Sequence, residues 1–198
     1  MAIIDALYAL AAEVDARDDY TRHHSQKVSE LATDLAKTLG YSAEGIDRIR
    51  TSALLHDIGK IGIVVSDKVI AKNPAERLRV RAHPYIGVVM LRYVEGLQEC
   101  VPAIHHHHEN YDGTGYPDQL KGEDIPLDAR ILAVADAFDN MISPRPYRPV
   151  NSTEKVLEYI ENASGSHFDP LVASAFLSTV VLERAGSVAG TSSDNQEV

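Results

Sequence analysis

The sequence predicts an all-α fold, a single helical domain over residues 1–185 followed by a disordered tail over 186–198. Three observations carry that prediction. Apolar residues recur at three- and four-residue spacing in one stretch after another. The breaks between these stretches are short and marked by Gly, Pro or capping residues. The β-branched run Ile61, Ile63, Val64 and Val65 could form a short extended piece but is too short to imply a sheet. No internal repeat or linker divides the chain.

Ala2 to Arg17 carries Ile3, Leu7, Leu10 and Val14 on one face. Thr21 is placed to cap a second helix that runs to Leu39 and stops at Gly40, a residue suited to the left-handed conformation past a helix end. Stepping back four from Val28 on its apolar face reaches His24, whereas His23 aligns with Lys27, Glu30 and Asp34. His24 is therefore expected inside and His23 outside. A third helix starts near Ser42 and leads through Ile46, Ile49 and Leu54 into Leu55-His56-Asp57-Ile58-Gly59-Lys60. His56 and Asp57 thus end a strongly apolar helix, where a buried carboxylate costs several kcal/mol unless it is paired or metal-bound. A hydrogen-bonded His-Asp pair in the core would satisfy the same pattern.

Pro74 to Arg81 reads as a short basic helix. Pro84 favours a helix start that places His83 at its N-terminus, with an end near Glu95. Cys100 to His108 reads as one more helix. It leads into His105-His106-His107-His108-Glu109 and the Gly-rich stretch Asp112-Gly113-Thr114-Gly115-Tyr116-Pro117. Taken alone, the four histidines serve equally as an exposed tract before a surface turn. Asp128 to Ile142 is the most apolar helix, and Asp136 projects from it beside Leu132, so this carboxylate needs a partner. Three prolines keep Ser143 to Pro149 out of a helix and present Arg145 and Arg148 from a stiff loop. Asn151-Ser152-Thr153-Glu154 caps the next helix, and Asp169-Pro170 opens the last, which is expected to end near Arg184.

A net charge of -10 on 198 residues argues against binding a nucleic acid polymer or an anionic membrane. Metals and a few arginines can still reverse the sign locally for a small anionic substrate. The single Cys100 excludes an intrachain disulfide framework and suits a reducing compartment. No apolar run reaches the roughly 18 residues of a membrane span. The start, Met1-Ala2-Ile3-Ile4-Asp5, lacks the basic opening of a signal peptide. A cytoplasmic protein is expected.

Seven ligand candidates, His24, His56, Asp57, His83, His107, His108 and Asp136, come from five helices or helix ends, the way bundle cores build metal sites. Imidazoles and carboxylates without thiolate suit iron, manganese or zinc. Seven exceed one four-coordinate site, so two metals sharing a carboxylate is the simpler reading, and paired metals favour phosphoester hydrolysis. Lys60, Arg145 and Arg148 would then bind phosphate oxygens.

His56-Asp57 followed by Gly59-Lys60, and His107-His108-Glu109 leading to Gly115-Tyr116-Pro117, resemble the HD-GYP family. The resemblance runs from about Asp18 to Pro170 and includes His83-Pro84-x-x-Gly87, Val134-Ala135-Asp136 and Arg145-Pro146-Tyr147-Arg148. It implies an HD-type helical bundle with a metal centre in its core. The implied activity is hydrolysis of cyclic di-GMP to pGpG and then GMP by a hydroxide held between two divalent metals, iron or manganese. It further implies that His24, His56, Asp57 and Asp136 hold one metal, that His83, His107 and His108 hold the other, and that Asp57 bridges. Lys60, Arg145 and Arg148 would contact substrate phosphates, and Gly115, Tyr116 and Pro117 would shape the lip of the site. His105 and His106 receive no role.

Two departures stand out. Some members bind a third metal through a glutamate where this chain has Tyr20, so two metals are expected. Ile63-Val64-Val65-Ser66-Asp67 and the short stretch from Lys72 to His83 are atypical and border the pocket. They leave open another cyclic dinucleotide or nucleotide as substrate, or a weakly active signalling module that binds a diguanylate-cyclase partner.

Overall fold

The computed structural model describes residues 2–16, 23–63, 74–144 and 150–190. Along them lie α1 (Ala2–Ala16), α2 (His24–Thr38), α3 (Ala43–Leu55), a 3-10 turn (Ile58–Gly62), α4 (Pro74–Val80) and α5 (His83–Leu91). There follow α6 (Val101–His106), a second 3-10 turn (Gly122–Asp124), α7 (Leu127–Ile142), α8 (Thr153–Asn162) and α9 (Pro170–Gly190). Among the described residues there is no strand, only an isolated bridge between Ser164 and Phe168. The all-α prediction holds.

Capping chemistry sets several of these boundaries. The side chains of Ser42 and Ser152 accept the Gly45 and Lys155 N–H groups, so α3 and α8 begin where the capping residues fall. Asp169 accepts the Leu171 N–H at 2.7 Å and caps α9, with Pro170 next in line. At the far end of α2, Gly40 has φ +78° and the Tyr41 N–H turns back to the Ala36 carbonyl. The start of α2 is held from a distance: Asp15 of α1 accepts the Ser25 N–H at 2.8 Å and its hydroxyl at 3.2 Å. The cap predicted at Thr21 lies outside the described residues, as do Tyr20, Val64 to Asp67, Arg145 and Arg148.

Two apolar clusters form the interior. The larger joins α2, α3, α7, α8 and α9 through Val28, Leu35, Ile49, Ile131, Phe138 and Phe176, with the last two rings 5.0 Å apart edge to face. The smaller joins α1, the end of α3, α5 and α6 through Ala11, Leu55, Ile58, Leu91 and Ile104. The end of α3 belongs to the seam between them, which is why His56 and Asp57 are buried there.

Four expectations need correction. Ile61 sits in the 3-10 turn rather than an extended piece, because the N–H groups of Lys60 and Ile63 bond back three residues to Asp57 and Lys60. Helix α5 ends at Leu91 instead of near Glu95, giving way to tight turns before Gly96 at φ +85°. Helix α6 covers only Val101–His106, so His107 and His108 follow its last turn. Helix α9 continues past Arg184 to Gly190; one glycine inside a helix costs only about 1 kcal/mol relative to alanine. No helix of the described residues is long and apolar enough to cross a membrane.

Candidate metal centre

All seven ligand candidates converge on the seam between the two clusters. His24 comes from the first turn of α2, His56 and Asp57 from the end of α3, and His83 from the start of α5. His107 and His108 follow α6, and Asp136 lies midway along α7. His23, one residue before His24, is exposed, as its helical phase predicted. Two close approaches make this convergence possible. A Cβ on Gly59 would lie 2.0 Å from the His83 carbonyl oxygen, so only glycine lets the 3-10 turn press against α5. A Cβ on Gly115 would lie 2.2 Å from the Asn110 nitrogen, so only glycine lets the loop fold back onto residues 108–110, where Tyr116 N–H bonds to the His108 carbonyl.

The donors divide into two sets that meet at Asp57. One Asp57 oxygen, Oδ2, lies 3.8 Å from His24 Nε2 and 3.5 Å from His56 Nε2. The other, Oδ1, lies 3.2 Å from His83 Nε2. Asp136 Oδ1 joins the first set at 3.0 Å from His24 Nε2 and 3.8 Å from His56 Nε2. In the second set His83 Nε2 and His107 Nε2 are 3.3 Å apart, with His108 beside them.

The hydrogen bonds assign the tautomers. The Nδ1–H groups of His56, His83 and His107 donate to the carbonyls of Ala53, Val80 and Ile104, each at 2.7 Å. His24 Nδ1–H donates to Asp139 Oδ2, also at 2.7 Å. The Nε2 atoms of His56, His83 and His107 therefore present lone pairs toward the centre, whereas His24 Nε2 faces Asp136 Oδ1 with a proton that a cation would displace. The lone pairs of His83 and His107, 3.3 Å apart, repel one another unless a cation lies between them. Buried His56 Nε2 and Asp57 Oδ1 have no hydrogen-bond partner, the mark of donor atoms waiting for an ion. Separations near 3 to 3.5 Å are those expected around a metal with bonds of about 2.0–2.2 Å. The residues fit divalent cations.

Charge follows the same design. Burial holds His83 and His107 below the ordinary imidazole value and brings His108 down to about 3, so that set stays neutral and ready to ligate. Burial would also lower His24, but hydrogen bonds to Asp136 and Asp139 outweigh it and lift the ring to about 10. Burial opposes ionisation of Asp57, yet Lys60, His56, His83 and His24 together hold it well below the usual carboxylate range.

Around the ligands, Lys60 pairs with Asp57 while its side chain remains 39% exposed. Tyr116 stacks on His108, ring centroids 4.9 Å apart, and the Arg81 guanidinium lies 4.8 Å from the Tyr116 centroid. The Gly115-Tyr116-Pro117 turn thus forms one wall of the donor cluster. Three supporting residues escaped the sequence reading. Asp139 orients His24, and its position three residues after Asp136 on α7 was a readable signal. Buried Glu109 accepts the Asp118 N–H at 2.7 Å and fixes the exit of the loop. Arg81 carried no signal, because its place depends on how α4 meets the loop.

Comparison with known proteins agrees with this geometry. The profile of the HD domain family matches residues 9–172. The chain is 39% identical over 179 residues to the cyclic di-GMP phosphodiesterase response regulator RpfG of Xanthomonas campestris, covering 87% of this chain and 47% of that protein. It is 34% identical over 182 residues to 3'3'-cGAMP-specific phosphodiesterase 2 of Vibrio cholerae, covering 87% and 34%. The chain therefore spans less than half the length of these curated relatives. Among solved structures, a cyclic GMP-AMP specific phosphodiesterase of V. cholerae superposes with a TM-score of 0.71 at 19% identity, covering 97% of this chain and 51% of that one. That likeness shows a shared fold. By profile, relatives and motifs alike, the chain belongs to the HD domain family, in its HD-GYP branch.

Proposed function

We propose that this chain is a metal-dependent phosphodiesterase that opens cyclic di-GMP to pGpG and then to GMP. The observation that carries this reading is Asp57, which turns one oxygen to the His24–His56–Asp136 set and the other to the His83–His107–His108 set. Such a carboxylate suits a pair of divalent metals, iron or manganese by the nitrogen and oxygen donors. Bound there, the pair would supply Lewis acidity, acidify water and neutralise charge on the attacked phosphate.

The chain's own residues do the rest. Asp139 and the backbone carbonyls fix each imidazole in the tautomer that points Nε2 inward. Burial keeps bulk water from competing for the donors. Lys60 reaches from Asp57 toward solvent and is placed to pair with a phosphate oxygen. Arg145 and Arg148, outside the described residues, would add forked contacts to the second phosphate. Tyr116, braced between His108 and Arg81, would shape the lip of the site beside the substrate.

A second reading is that the preferred substrate is 3'3'-cGAMP. It is favoured by relatives of that name at 34–35% identity, close behind the 36–39% of several named for cyclic di-GMP. A panel of cyclic di-GMP, 3'3'-cGAMP and cyclic di-AMP, each incubated with manganese-loaded or anaerobic iron-loaded protein, separates the two. Fastest loss of cyclic di-GMP with pGpG as first product supports the first reading. Fastest loss of 3'3'-cGAMP supports the second, and no cleavage of any of the three rejects both.

A further inference from the structure

The core accounts for His107 and His108, and His105 and His106 point elsewhere. Their Nε2 atoms approach a single oxygen, Asp118 Oδ2, at 3.3 and 3.0 Å. The three donor atoms lie within 4.8 Å of one another. Around a tetrahedral ion with bonds of about 2.0–2.1 Å, neighbouring donors stand about 3.3 Å apart, so the two separations to Asp118 already match those of a coordination face.

The tautomers agree. His106 Nδ1–H donates to the Pro102 carbonyl at 2.9 Å, leaving an Nε2 lone pair directed at an anionic oxygen. A lone pair and a carboxylate at 3.0 Å require a positive centre between them or a proton. A proton on His106 would make a simple ion pair with Asp118, but it leaves His105 unexplained. The second nitrogen of that ring, Nδ1, is buried without a hydrogen-bond partner, and so is Oε2 of Glu109. Glu109 also holds the Asp118 backbone through Oε1. Asp118 is half exposed, which leaves water free to complete the coordination sphere.

We propose that His105, His106 and Asp118 form a second, peripheral cation site that takes a borderline divalent ion of the zinc type and pins the exit of the Gly115-Tyr116-Pro117 turn to α6. It shares no donor with the seven core ligand candidates. Its role is positional: the ion restrains the loop that carries Tyr116.

Zinc binding to the full chain tests this in an Asp57→Asn background, where the core sites are crippled, by competition with a chromophoric chelator. That background is expected to bind zinc at the peripheral site beside any that the His83–His107–His108 set retains, and adding either Asp118→Asn or His106→Gln should weaken one of the bound equivalents at least tenfold. Amide hydrogen exchange gives a second readout in the otherwise unaltered protein. Zinc is expected to slow exchange over residues 116–121, and Asp118→Asn is expected to abolish that slowing. Equal zinc affinity with and without the two substitutions, or slowing that survives Asp118→Asn, would overturn the site and leave His106 and Asp118 as an ion pair.

Discussion

Asp139 accepts the His24 Nδ1–H hydrogen bond at 2.7 Å and is itself held by the Ser143 hydroxyl at 3.1 Å. Removing a carboxylate that orients a ligating histidine typically costs 10–100-fold in metal affinity. Asp139→Ala is therefore expected to weaken metal binding by about that factor, with Asp139→Asn recovering part of the loss and both keeping the helical circular dichroism of the parent. Chelator competition measures it. At this scale much of the site was legible: helical phase separated buried His24 from exposed His23, and the seven ligand candidates do meet. What was missed was support. A phase argument shows which way a ligand points, but a partner such as Asp139 or Glu109 is recognised only once two helices or a loop are seen to cross.

Between elements, the tightest constraint is the 3-10 turn against α5. A methyl at Gly59 would collide with the backbone of His83 itself, a contact that cannot rotate away. Overpacking of this kind costs typically about 1–3 kcal/mol, and here it pushes directly on a ligand. Gly59→Ala is expected to lower the unfolding free energy measured in urea by that amount, moving the midpoint down, and to reduce retained metal. An unchanged midpoint with full metal content would show that the turn yields elsewhere. A second joint is Arg130 of α7, which pairs with Asp169 at the head of α9 and also donates to the Ile125 carbonyl. Asp169→Ala removes a cap and the carboxylate partner of a largely covered guanidinium, so a loss of about 2–3 kcal/mol is expected in equilibrium unfolding. Helix starts were legible because Ser42, Ser152 and Asp169 announce themselves through side chains that replace missing backbone partners. Ends were less so. The stops of α5 and α6 follow from how the chain turns to enter the next contact, and α9 simply continues through residues that tolerate either state.

For the molecule as a whole, the donors sit at the seam of two apolar clusters, so metal and fold are expected to stabilise each other. Stripping the metal leaves at least His56 Nε2 and Asp57 Oδ1 buried without partners, at about 1–3 kcal/mol each. With about 2–4 °C per kcal/mol for a chain of this size, chelation should lower the melting temperature by roughly 5–20 °C. Restoring the metal should restore it, and a melting temperature indifferent to chelator would mean that the donors collapse onto one another at no cost. The bundle was legible from periodicity alone, whereas the family and its chemistry needed the ordered motifs around His56-Asp57 and Gly115-Tyr116-Pro117.

If Asp57 joins two metal sites into one hydrolytic centre, cyclic di-GMP cleavage should depend on filling both. Followed while manganese retained after desalting is raised from zero to two equivalents per chain, cleavage is expected to be negligible at one equivalent and to yield pGpG steeply as the second fills. Asp57→Asn is expected to lose both the second equivalent and the activity. Full activity at a single equivalent, or two tightly held equivalents with cyclic di-GMP left intact, would contradict such a joint centre.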